Sequence, residues 1–379
     1  MCAGRLNMAG KLKHRWSLSH NYLSGITADA WWSLLRENRF AVDAPYWHRA
    51  AFVTLASLLN SYYRRQEERQ YRDAIEGVEI SQPPLFILGH WRSGTTLLHY
   101  LVAQDTEQFA FANTYQVINP HTFLCTEEVN SRRFAAFVPK TRSMDAMRLG
   151  FDTPQEDEFA PLLLTLRSLY LGITFPRREE YYGRYLTFEE VPRKEVEQWQ
   201  AVLLWFSKKL TLKYGRRLLF KSPPHTARIR LLLELFPDAR FVHIHRNPYR
   251  VFQSQRHYFD TATWYTYLQR PEVERIDEGI LRRYTTLYDA FFADRPMIPN
   301  DHFCEVCFED LEADPVAQVA RIYESLRLPG FEKCRPNLQS YADSLAGYQK
   351  NEYAPLEEAN RQLVAREWAR SFEVWNYAK

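Results

Sequence analysis

The sequence predicts an α/β fold: a parallel sheet flanked by helices on both faces, with a helical extension at the N-terminus. Three observations carry this. Leu85-Phe-Ile-Leu88 is a short, unbroken apolar run, which suits a strand buried on both faces. Similar runs alternate with helix-spaced segments from residue 85 to residue 328, the pattern of a doubly wound parallel sheet. Residues 28–75 carry apolar residues at helical spacing and no strand pattern.

In chain order, Trp31, Leu34 and Leu35, then Phe52, Leu55, Leu58 and Leu59, define that first helical layer. Ser81-Gln-Pro-Pro84 breaks the chain, so residues 1–80 read as a helical segment packed on a main domain, 81–379. After the Leu85–Leu88 strand, Gly89 to Gly94 form a loop and Thr95 to Ala103 a helix. Residues 106–190 are irregular, and Asp152 to Glu158 form an acidic cluster ahead of an apolar stretch. Such acids commonly serve as dipole partners in a first helical turn. Arg193 to Leu212 reads as a helix, Arg217 to Lys221 as a strand, and Thr226 to Phe236 as a helix. Arg240 to His245 is the next strand; Asn247-Pro248 can cap and start the helix after it. A helix over 272–292, a strand over His302 to Phe308 and a helix over Pro315 to Leu326 complete the alternation.

Composition bounds the function. Lys plus Arg number 49 and Asp plus Glu 46, a balance that argues against bulk nucleic-acid binding but permits a local cationic site. The five cysteines are odd in number and irregular in spacing, so a reducing, cytoplasmic compartment is the simpler expectation. Cys304 and Cys307 form a lone CxxC inside a predicted strand; zinc would need a second pair, and no metal is expected. Met1 to Arg15 lack the apolar core of a secretory signal. Ala50 to Leu59 is too short to span a bilayer. It reads as a core helix with a charged continuation, Arg64, Arg65, Arg69 and Arg72, though a peripheral membrane contact is an alternative.

The chemistry concentrates at two strand–helix junctions. In Gly89-His-Trp-Arg-Ser-Gly94-Thr95-Thr96, glycines let the backbone aim N–H groups inward, and a helix N-terminus adds partial positive charge. The spacing is that of a P-loop up to the second Gly, but Thr95 stands where a nucleotide hydrolase carries Lys. The cation is Arg92, inside the loop. At the second junction, HRNPYRVFQS, Arg246 ends a strand and Ser254 lies eight residues on, about two helical turns. Strand ends are where parallel sheets bind ligands, and an Arg fork with a Ser hydroxyl can hold a second phosphate. Taken alone, Arg246 and Ser254 read more readily as a surface Arg and a helix-facing Ser.

Together, FILGHWRSGTTLLH and RNPYRVFQS resemble the two nucleotide-binding motifs of sulfotransferases dependent on PAPS (3'-phosphoadenosine 5'-phosphosulfate). The first is closest to the RSGTT variant of the bacterial and tyrosylprotein types. The resemblance runs from about residue 84 to 350. It implies that Arg92, Ser93, Gly94, Thr95 and Thr96 hold the 5'-phosphosulfate, and that Arg246 and Ser254 hold the 3'-phosphate. It implies that Lys221 contacts the bridging oxygen and sulfonate, and it matches Lys350, in YQKNEY, to a late Lys near the nucleotide. The general base is left open among His225, Glu156 and His121. The implied reaction is in-line transfer of sulfonate from PAPS to a hydroxyl or amine, without metal. The acceptor class is open: small molecule, glycan, lipid or peptide. Aromatic residues of 104–190 and 257–270, including Tyr258, Trp264 and Tyr265, are expected to line its pocket. Two other readings share the loop: a P-loop kinase or NTPase, which the absent Lys disfavours, and a PAPS-binding protein without transferase activity.

Overall fold

The computed structural model describes residues 12–134, 141, 142, 144, 145, 147–345, 347 and 351–379. These divide into two compact units, one of Met1–Glu79, Ala112–Lys213 and His257–Ile276, the other of Ile80–Phe111, Tyr214–Arg256 and Asp277–Lys379.

The second unit holds a five-stranded, all-parallel sheet: β1 (Leu85–Leu88), β2 (Phe109–Phe111), β3 (Arg217–Lys221), β4 (Arg240–His245) and β5 (Phe303–Cys307). Its order is β2-β3-β1-β4-β5, so β1 lies at the centre. Strand side chains alternate between faces, and each face has its own core. Leu85 and Ile87 join Leu219, Val242, Ile244, Cys304 and Val306 on one side. That side is closed by Leu98, Leu101 and Val102 and by residues of the helices Pro315–Ser325 and Phe331–Ser344. On the other side Phe86 stacks with Phe220 and Phe241 at 5.2 and 5.7 Å. A fully buried Phe of this kind stabilises the fold by about 2–3 kcal/mol. The predicted alternation is therefore present, and four strands fall within one residue of their expected bounds. β2 was not expected; its three residues are too few to show a period.

In the first unit α1 (Ala28–Glu37) and α2 (Trp47–Glu76) form the helical layer. Two buried groups fix it. Arg49 donates to the carbonyls of Trp264 and Tyr267 at 2.9 and 3.0 Å. Lys209 and Glu67, both buried, form an ion pair. The reading of Ala50–Leu59 as a core helix needs correction. Val53 and Ser57 face inward, but Leu55, Leu58 and Leu59 are exposed. The segment is apolar on both sides, so its composition could not say which side is buried.

Among the described residues no helix is long and apolar enough to cross a membrane. The described cysteines, Cys125, Cys304, Cys307 and Cys334, are free thiols.

Candidate functional site

The C-terminal ends of β3, β1 and β4 lie side by side, because β1 pairs with both neighbours. Lys221 is the last residue of β3 and stands opposite Ile87. The loop Gly89–Gly94 leaves β1 two residues later, and Arg246 follows β4 directly. One edge of the sheet thus carries the predicted Lys, the loop and the Arg.

The loop's shape is fixed by glycine at both ends. Gly89 has φ +144°, and a Cβ there would lie 2.5 Å from the Ile244 carbonyl oxygen. Gly94 has φ +104°, and its Cβ would meet the Phe308 ring at 2.3 Å. Arg92 also lies in the left-handed region, at φ +71°, which costs a non-glycine residue about 1–2 kcal/mol. Internal bonds hold this form. The Ser93 N–H and hydroxyl both donate to the His90 carbonyl, at 3.1 and 2.7 Å. The Gly89 N–H donates to the Thr226 hydroxyl at 2.7 Å. Thr95 and Thr96 then open α3 (Thr95–Val102), whose first-turn N–H groups face the loop without intrahelical partners.

Arg92 and Ser254, expected to hold different phosphates, are joined directly: the Arg92 Nε donates to the Ser254 Oγ at 2.9 Å. Arg246 lies over the Phe308 ring at 4.0 Å and reaches the Arg92 carbonyl at 3.4 Å. Burial pulls the Arg246 pKa down, but a guanidinium remains charged throughout. The Ser254 Oγ also lies 3.0 Å from the Tyr353 hydroxyl. Two cationic forks and two hydroxyls therefore cluster beside the loop. This is a donor-rich surface suited to phosphate, beside a loop packed too closely on Ile244 and Phe308 to admit a side chain at Gly89 or Gly94.

Lys221 and His225 are both buried. His225 sits in the short turn Pro223–Ala227, edge-on to Phe86 at 5.5 Å. Glu156 belongs to the first unit and is partly buried. Tyr170 donates its hydroxyl to the Glu156 Oε2 at 2.5 Å. Glu156 and Asp157 precede the helix Phe159–Thr165 rather than opening its first turn. Glu158 is at the cap position but accepts from the Ser168 hydroxyl instead of capping. His121 is a poor base, because burial and then Lys209 lower its pKa to about 3. Trp264 is a core residue rather than a pocket wall, while Tyr258 and Tyr265 are partly buried. Lys350 lies outside the described residues.

Three contributors escaped the sequence reading. Thr226 clamps the start of the loop; its only signal was its place beside Pro223-Pro224-His225. Tyr288 donates no chemistry, but its hydroxyl accepts from the His90 N–H at 3.3 Å. Tyr353 is 99 residues from Ser254; it closes the YQKNEY stretch, whose resemblance pointed to Lys350 instead.

His90 gives the loop a pH dependence. Its Nδ1–H donates to the Trp91 carbonyl at 2.8 Å, and burial lowers its pKa from 6.5 to about 3. Below pH 6.5 the unfolded chain takes up this proton first, so folding stability falls as pH falls towards 3. One such group contributes a slope of up to about 1.4 kcal/mol per pH unit. His90→Gln is expected to flatten the denaturant-midpoint profile between pH 6.5 and 5 relative to the parent. An unchanged slope would show that His90 does not titrate in this way.

A model of the sulfotransferase family matches residues 83–333. The omega-hydroxy-beta-dihydromenaquinone-9 sulfotransferases Stf3 of Mycobacterium bovis and Mycobacterium tuberculosis are each 36% identical to the chain over 357 residues, covering 93% of this chain and 90% of theirs. The sulfotransferase STF9 of Mycobacterium avium shares the fold at a TM-score of 0.64 and 17% identity, covering 92% of this chain and 96% of that one. STF1 of M. tuberculosis H37Rv does so at 0.63 and 17%, covering 92% and 94%. With the family match spanning the sheet, both junction motifs and Lys221, the chain belongs to the sulfotransferase family.

Proposed function

We propose that this sulfotransferase moves sulfonate from PAPS to a hydroxyl of a small, lipid-like acceptor. The observation that carries the donor assignment is the joined cluster of Arg92, Ser254 and Arg246 beside a glycine-bounded loop. One phosphate needs one such cluster; a nucleotide with groups at both the 5' and 3' positions uses both junctions. The lipid-like acceptor rests on the likeness to Stf3, named for a menaquinone derivative, at 36% identity over most of both chains.

PAPS supplies a sulfonate whose bond to the bridging phosphate oxygen breaks as the acceptor oxygen attacks sulfur; that oxygen leaves with the electron pair. The residues do the rest. The remaining loop N–H groups, Arg92, Thr95 and Thr96 fix the 5' end, and Ser93, expected to join them, holds the loop in shape through the His90 carbonyl. Lys221 neutralises the charge that builds on the bridging oxygen. The acceptor proton goes to Glu156 or His225. Within its own unit Glu156 is partly buried and accepts from the Tyr170 hydroxyl, while His225 is fully buried; the choice between them stays open.

The test is transfer of labelled sulfonate from PAPS to a terminal hydroxyl on a prenylated quinol, beside a simple phenol and a sugar. Turnover with the quinol well above the other two is expected. Preference for sugar or phenol would overturn the acceptor class; no transfer from PAPS to any of them would overturn the donor.

A further inference from the structure

The α2 helix presents an apolar surface that the reaction does not use. Trp47, Leu55, Leu58, Leu59 and Tyr62 are each between 52% and 70% exposed. At 100° per residue they share one face, opposite Val53, Ser57 and Glu67, which are buried. The stripe runs for about 22 Å. At its N-terminal end Trp16, also exposed, packs against His48 at 5.2 Å, and Arg15 lies 4.4 Å over its ring. Beyond Tyr62 the same face continues with Arg65, Arg69 and Arg72, all exposed. Isolated surface leucines need no explanation, but a continuous stripe of large apolar side chains does.

We infer that this face of α2 docks on an anionic lipid surface, lying in the plane of the bilayer interface. The apolar stretch would enter the boundary between headgroups and acyl chains, with Trp16, Trp47 and Tyr62 at headgroup depth. Arg65 and Arg69, one and two turns on, would meet lipid phosphates. The acids nearby do not cancel this. Glu68 sits at the edge of the face and pairs with Arg64, at 3.6 Å, and Asp73 and Glu76 come only in the last turns.

A second copy of the chain fits the face poorly. The positions spaced for helix pairing are Ala51, Leu55, Leu58, Tyr62, Arg65, Arg69, Arg72 and Glu76. Parallel pairing would set three Arg against their own counterparts. Antiparallel pairing would set Arg72 against Leu55 and Arg69 against Leu58. A lipid surface satisfies both halves of the face at once. The inference stands apart from the identity of the acceptor.

The experiment is flotation of the full chain with phosphatidylcholine vesicles, with and without phosphatidylglycerol. The chain is expected to float with the mixed vesicles. Each interfacial leucine strengthens partitioning by on the order of tenfold, and each Arg near an anionic leaflet by roughly fivefold. The triple variant Leu55→Ser, Leu58→Ser, Leu59→Ser is therefore expected to lose flotation, with unchanged circular dichroism and unchanged transfer to a water-soluble acceptor. These side chains are exposed, so the variant has no core to lose. Arg65→Gln with Arg69→Gln is expected to remove the preference for phosphatidylglycerol. Absence of flotation in the parent, or equal flotation of the triple variant, overturns the proposal. A parent that is dimeric by light scattering and becomes monomeric in the triple variant also overturns it, by assigning the face to a second copy.

Discussion

Replacing Lys221 with Met is expected to lower kcat by about 10²–10³-fold while changing the affinity for PAPS by much less. The magnitude is that of removing one preorganised charge from a developing anion. Lys221 closes β3, beside the strand that feeds the loop, and its side chain is buried. A cation there has little solvent to reorganise as charge accumulates on the departing oxygen, so its contribution belongs to the transition state rather than to binding. Met keeps the length and apolar character of the stem. Single-turnover rates and PAPS titration on the same preparation separate the two effects. A fall in affinity equal to the fall in kcat would assign Lys221 to binding. A fall in melting temperature large enough to explain the lost activity would assign it to the fold.

What the sequence disclosed follows from how each feature is encoded. β1 and α3 were legible because buried strand, glycine turn and helix start are contiguous, and each obeys local stereochemistry. The absence of a side chain at Gly89 and Gly94 is demanded by the nearby Ile244 and Phe308 as well as by their positive φ, which only the structure reveals. Arg92 and Arg246 were legible as cations at strand ends. The chain of contacts from Arg246 to the Arg92 carbonyl, and from the Arg92 side chain to the Ser254 hydroxyl, was not, because it depends on β4 lying next to β1. Thr226 and Tyr353 act through hydrogen bonds across long sequence separations, which leave no periodic trace. Leu55, Leu58 and Leu59 failed in the opposite way. Their spacing signalled a helix correctly, yet helical spacing says nothing about which face meets the core when both are apolar.

The joined geometry of Arg92, Ser254 and Arg246 supports a second large effect, and one that discriminates. Arg246→Ala is expected to weaken PAPS binding by about 10–100-fold, the worth of a charge-assisted bond to phosphate. Binding of adenosine 5'-phosphosulfate, which lacks the 3'-phosphate, is expected to change by only a few-fold. The residual loss has a visible source: Arg246 also donates to the Arg92 carbonyl, and so supports a residue held at φ +71°. Ser254→Ala should show the same preference at smaller amplitude, since a neutral hydroxyl gives the weaker bond. It also releases the Arg92 Nε, which is why the double variant should fall short of the product of the two single effects. Calorimetric titration of both nucleotides against the parent, the single variants and the double variant measures each term. Equal losses for the two nucleotides would make Arg246 a support of the loop rather than a reader of the 3'-phosphate, and the second junction would then lose its role in choosing the donor.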